Sequence, residues 1–290
     1  MKPNIVLCSH DAGGANLLVS WALAHPEFCY WGLLSGPAIE IYNESGLKFK
    51  AIESTDNLPE GLESFVCSTG WQSNWEQKAI KHCIDNKIDI SVYLDHWVNF
   101  RVRLVLSGRL LVPNRIWVVD AEAQTIACQA LPEVAAVNVV GNYYENNIVK
   151  IIEQYPEVDP TSVLVCLEPI RDKGVTAASL WDGLKTYLCT EHKASHIIIR
   201  SHPSGDLDGT QQLLKGLSAC TCVELSLESL DEDLARSHTV IGYQSSIFSI
   251  AHKVNKKILS YYPIQSLSPL LPHTYINYIP MVVEPEGKQL

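Results

Sequence analysis

Short apolar runs alternate with helix-length amphipathic segments along almost the whole chain, and this alternation does most to limit what the chain can fold into. Asn4–Ser9 reads as a buried strand and Asn16–Ala24 as the helix after it. Strands follow at Cys29–Leu34, Phe65–Ser68, Asp89–Leu94, Arg115–Val119 and Ala135–Val140, with a helix over Asn74–Asn86. The pattern then restarts. Ser162–Leu167, His196–Arg200, Thr221–Leu225, Thr239–Gly242 and Lys257–Tyr261 read as strands. Val175–Thr190, Gly209–Leu217, Asp231–Ser237 and Ser246–Val254 read as helices between them. Strand, helix, strand at this spacing means βαβ units and parallel sheets.

The two series meet near Glu153–Thr161, where Tyr155-Pro156 and Asp159-Pro160 punctuate the chain. The expectation is an α/β protein of two Rossmann-like domains, 1–155 and 156–290, with parallel sheets facing across a cleft. A length of 290 residues fits two domains at roughly 150 residues each.

Composition narrows the function. The net charge of −10 opposes the phosphate backbone of nucleic acid, and no basic run with interleaved aromatics offsets it. Nine cysteines include Cys8 and Cys166 inside apolar runs, and no CxxC pair occurs. They read as reduced core residues of a cytoplasmic protein. The chain enters its first strand at once, without a signal-type segment, and no run of about 18 apolar residues suggests a membrane span.

In open parallel sheets ligands sit beyond the carboxyl ends of the strands. Five strand ends carry unusual residues. Ser9-His10-Asp11-Ala12-Gly13-Gly14 pairs a candidate base, Asp11 with His10, with two glycines that would let backbone approach a ligand. The bland alternative makes Asp11 a helix cap. Asp95-His96-Trp97 puts an acid and an imidazole at another strand end, either for proton handling or for bonding to neighbouring loops. Arg101 and Arg103 beyond it read as partners of surface acids. Asp120 reads as an N-cap.

In the second half, Arg200-Ser201-His202-Pro203 offers a permanent cation and a histidine held extended by the proline after it. Gly242-Tyr243-Gln244-Ser245-Ser246 opens a helix with two hydroxyls, suited to phosphate or to a simple cap. Glu168 ends the first strand of this half, where it would accept bonds from ribose or base hydroxyls or lie at the surface. Trp71, Trp75 and Trp97 read as acceptor-stacking platforms or as core. The P-loop, GxGxxG, GxSxG and HExxH patterns are all missing from the sequence. The residues together suggest a phosphate-bearing ligand.

The chain resembles GT-B glycosyltransferases. The sharper likeness lies in His202-Pro203 followed roughly forty residues later by Ser245-Ser246, which resembles the HP and paired-Ser/Thr motifs of bacterial transferases using CMP-activated sialic acid or Kdo. The resemblance implies that His202, Ser245 and Ser246 contact the CMP phosphate. It implies a metal-independent transfer from a nucleotide sugar to a glycan acceptor in surface polysaccharide synthesis, with no cofactor beyond the nucleotide-sugar co-substrate. The acceptor could be membrane-bound, with the enzyme peripherally associated. Asp11 is the positional match for the acceptor base, with His96 as the alternative. Two other readings stay open: a UDP-sugar 2-epimerase-like enzyme, and a non-catalytic sugar-nucleotide-binding protein.

Overall fold

A computed structural model describes residues 2–70, 73–156, 158–170, 175, 177–202, 207–218, 221–264, 267 and 271–281. The chain forms two compact units, Met1–Asn147 and Ile148–Leu290.

The first unit has strands β1 (Asn4–Ser9), β2 (Cys29–Leu34), β3 (Phe49–Ala51), β4 (Leu62–Cys67), β5 (Ile90–Leu94), β8 (Arg115–Val118) and β9 (Ala136–Val139). A small antiparallel hairpin, β6 (Val105–Leu106) with β7 (Arg109–Leu110), lies between β5 and β8 in sequence. The seven-stranded sheet is wholly parallel, in the order β3-β2-β1-β4-β5-β8-β9. Its helices are α1 (Ala12–Ala24), α2 (Ala38–Glu44), α3 (Trp75–Asp85), α4 (Phe100–Arg103), α5 (Ala121–Ala130) and the start of α6 (Tyr143–Ile152).

The second unit has β10 (Ser162–Cys166), β11 (His196–Arg200), β12 (Cys222–Leu225), β13 (Thr239–Gly242), β14 (Lys257–Ser260) and β15 (Asn277–Tyr278). These run parallel in the order β12-β11-β10-β13-β14-β15. Its helices are α7 (Ala177–Thr186), α8 (Leu207–Leu217), α9 (Leu230–Ala235) and α10 (Ile247–Lys253).

Each sheet is doubly wound. The first strand is central, the next two add on one side, and the chain then crosses back to add the rest on the other. A parallel sheet with both faces covered needs continuous apolar strands. Accordingly β10 is buried along its whole length, and Ile197, Ile198 and Ile199 of β11 are buried. In the second unit Val163, Val165, Ile197 and Ile199 pack with Leu184 of α7 and Leu213 of α8 in one core.

Several elements differ from the sequence reading. Helix α1 begins at Ala12 rather than Asn16, so Gly13 and Gly14 lie in its first turn and form no open loop. Both glycines sit against neighbouring strand ends: a Cβ on Gly14 would lie 2.5 Å from Ser68, and one on Gly13 would lie 2.7 Å from the Asp95 carboxylate. Val175–Thr190 is not one helix; α7 passes into a π-helical turn, Tyr187–His192. Of the cysteines, Cys8, Cys67, Cys83 and Cys166 are buried and free, whereas Cys128 and Cys222 are free and exposed. Among the described residues no helix is long and apolar enough to cross a membrane.

Candidate functional site

In each sheet the chain changes direction between two neighbouring central strands, and a crevice forms where connections diverge at such a switch point. In the first unit these strands are β1 and β4; in the second they are β10 and β13.

At the first switch point, His10 and Asp11 leave β1 while Ser68, Thr69 and Gly70 leave β4. His10 Nδ1 and Asp11 Oδ1 are 2.7 Å apart, with 16% and 18% of each side chain exposed. Asp11 occupies the N-cap position of α1, yet its carboxylate makes no cap bond. It lies instead against Gly70, where a Cβ would come within 2.2 Å of Oδ2. The His10 ring packs against Gly36, whose φ of +55° also favours glycine. The pair is thus wedged between two glycines, and the imidazole orients the carboxylate.

Beneath it, the wholly buried Glu76 of α3 accepts the His10 backbone N–H at 2.9 Å. Burial pushes the Glu76 carboxyl up; the His10 amide and the start of its own helix oppose this. Ser9 and Ser68 hydroxyls bond across the strands at 2.9 Å.

Asp95 and His96 turn to different partners. Asp95 pairs with the buried Arg103 at 2.7 Å, and the same Nη1 reaches the Thr69 hydroxyl at 3.3 Å. Arg103 is therefore no surface-pairing residue, whereas Arg101 is, forming an exposed fork with Glu133. His96 Nδ1 accepts the Trp97 N–H at 3.0 Å. Trp97 belongs to the core and donates to Asp120 at 2.7 Å; the other oxygen of Asp120 caps α5 through the Ala123 amide. Trp75 is partly buried and donates to the Leu33 carbonyl. Trp71 lies outside the described residues.

At the second switch point, Glu168 reaches across from β10 to the loop after β13. Its carboxylate accepts the Tyr243 and Gln244 amides at 3.2 and 3.3 Å and a bond from the Ser245 side chain. Burial nevertheless pushes its carboxyl up to about 7. Gln244 Oε1 accepts the Leu271 amide at 3.1 Å. Gly242 lies against Phe248, with room for a Cβ only at 3.0 Å. Ser246 sits at the N-cap of α10 and is exposed, with no cap bond from its side chain.

Arg200, at the end of β11, pairs with the buried Asp233 of α9 at 2.6 Å. Glu168, Arg200 and Asp233 lie close enough together to act on the buried Cys166 thiol. Burial raises it most, the two acids add to that, and the guanidinium opposes them. His202 is exposed, and Pro203 lies outside the described residues.

Sequence reasoning missed Glu76, Asp233 and Gly70. The two acids stand in helix segments where acids normally face water, and Gly70 carries no chemistry of its own.

No family model and no curated protein matches the chain. Among solved structures it is similar to the S. aureus MnaA–UDP co-structure, at 14% identity over 89% of this chain and 78% of that one, with a TM-score of 0.64. It is also similar to the UDP-GlcNAc 2-epimerase of Neisseria meningitidis bound to UDP-GlcNAc (11% identity, 89% and 82% covered, TM-score 0.61). A third likeness is to MurG of Acinetobacter baumannii (10% identity, 90% and 78% covered, TM-score 0.52). The two parallel α/β sheets are those of the GT-B-type fold, which sugar-nucleotide epimerases and glycosyltransferases share.

Proposed function

We propose that this chain binds a nucleotide sugar and transfers the sugar to an acceptor hydroxyl. The observation that carries the reading is the His10–Asp11 pair at the switch point of the first sheet. One oxygen of Asp11 is engaged by the imidazole, which fixes the carboxylate for proton abstraction from an acceptor hydroxyl. The imidazole also steadies the proton once it arrives.

The nucleotide belongs to the second unit, around the ends of β10, β11 and β13. As the bond to the sugar breaks, charge grows on the leaving phosphate. Donors from Arg200, His202, Ser245 and Ser246 would stabilise that charge more than they stabilise the ground state. The resemblance of His202-Pro203 and Ser245-Ser246 to CMP-sugar transferases supports a CMP-activated ulosonic acid as donor.

A second reading, 2-epimerisation of a UDP-sugar, is favoured by the likeness to the S. aureus and Neisseria structures, whose bound ligands are UDP and UDP-GlcNAc. Nucleotide choice separates the two. A thermal-shift panel of CMP, UDP, GDP and their sugar conjugates is expected to show protection by CMP under the transferase reading. Protection by UDP, with UDP-GlcNAc epimerised at C2 in the absence of acceptor, would replace it with the epimerase. Under the transferase reading, Asp11→Asn lowers kcat by about 100-fold or more and leaves nucleotide affinity unchanged; an unaltered rate removes Asp11 from the base role.

A further inference from the structure

Asp233 is an acid in an unfavourable place. It lies on α9 with its side chain 0% exposed. Its Oδ2 accepts from Arg200 Nη1 at 2.6 Å and from the Ser226 hydroxyl at 2.5 Å. Its Oδ1 is buried and has no hydrogen-bond partner among the described residues. A buried carboxylate with one idle oxygen lowers stability, and a clip that served only to tie α9 to the sheet would not need the charge. The Glu228 carbonyl, which also accepts from Arg200 at 2.9 Å, makes that tie already.

The geometry at Arg200 shows what the charge does. Among the described residues, Nη1 makes every bond of this guanidinium: to Asp233, to the Glu228 carbonyl and, at 3.3 Å, to the Ser226 hydroxyl. Nε and Nη2 meet no acceptor among the described residues, and about a third of the side chain is exposed (32%). These two nitrogens form one edge of the planar fork, the edge that takes two oxygens of a carboxylate or phosphate in parallel. Arg200 stands at the carboxyl end of β11, beside β10 and the second switch point.

We infer that Asp233 is a positioning residue, which clamps Arg200 by Nη1 so that the Nε–Nη2 edge is held out to an anionic oxygen pair of the ligand. The inference rests on the proposed nucleotide-sugar reading and names how its anion is held. The anion is a phosphate or a sugar carboxylate, which share this chemistry.

The test is binding by calorimetry of CMP and UDP, each paired with its nucleoside, cytidine or uridine, and of free sialic acid. Asp233→Asn keeps the shape and removes the clamp. It is expected to weaken the nucleotides about tenfold and leave the nucleosides unchanged, with no fall in Tm. Ser226→Ala, a milder change, should weaken nucleotides severalfold in the same selective way. Arg200→Lys keeps the charge but loses the edge, and should weaken the nucleotides at least as much as Asp233→Asn while leaving the nucleosides unchanged. If only sialic acid responds to the variants, the edge reads the carboxylate. Equal weakening of nucleotide and nucleoside, or a lowered Tm with every affinity intact, would show a structural clip and overturn the inference. Failure of the unmodified protein to bind any nucleotide overturns the underlying reading, and the inference with it.

Discussion

Glu168 stands among backbone amides with little water to share its charge. Two main-chain N–H groups and the Ser245 side chain favour its ionised form, yet burial outweighs them and lifts the carboxyl to about 7. In the unfolded chain it titrates near 4.5. The folded protein therefore holds a proton there that the unfolded chain has lost. Stability from this group is fully present below about pH 4.5 and is lost as the pH rises to about 7, by at most on the order of 3 kcal/mol. Glu168→Gln removes the titration. Urea midpoints measured from pH 5 to 8 are expected to fall more steeply for the unmodified protein than for this variant. Parallel curves would mean that Glu168 is ionised throughout. The sequence placed Glu168 at a strand end but could not show its partners, because they come from a loop some 75 residues away. Glu76 and Asp233 were hidden for a related reason. Acids near a helix start usually answer the helix dipole from solvent, and only the fold turns these two inward.

The start of α1 shows how packing can overrule local propensity. Paired glycines disfavour helix and read as a loop. Here they are helical because α1 begins hard against two strand ends, and any Cβ would meet Ser68 or Asp95. The glycines thus serve contacts within the protein. Gly14→Ala would improve helix propensity on an exposed helix, but at this contact it forces α1 and β4 apart. It is expected to destabilise the protein by about 1–3 kcal/mol, read as a lower urea midpoint at unchanged slope. A gain in stability would show that α1 has room to move. Elements with long apolar runs were legible, since a six-residue strand such as β1 leaves little alternative. The edge strands β3 and β15 and the β6–β7 hairpin were not, because two or three residues of mixed polarity carry no period. The acid–imidazole pairing at His10–Asp11 could be read from adjacency. The divergence of Asp95 and His96 could not, since Arg103 and the Trp97 amide decide it.

At the scale of the whole molecule, the restart of the βαβ pattern was visible in the sequence, while the strand order was not. Order depends on which way each crossover turns, and the apolar runs are alike in either direction. Each sheet carries a core of its own, so unfolding need not be a single transition. The tryptophans make this measurable. Six of the seven precede residue 148, and only Trp181 belongs to the second unit. Its indole N–H is buried without a partner among the described residues, so Trp181→Phe forfeits none of their hydrogen bonds and leaves fluorescence to report the first unit alone. A nucleotide held by the second unit at about 100 times its Kd stabilises that unit by about 2.7 kcal/mol. In the Trp181→Phe protein, circular dichroism should then show a transition moved to higher temperature while the fluorescence transition stays in place. If both move together, the nucleotide draws on the first unit as well, and Arg200, His202, Ser245 and Ser246 do not suffice to hold it.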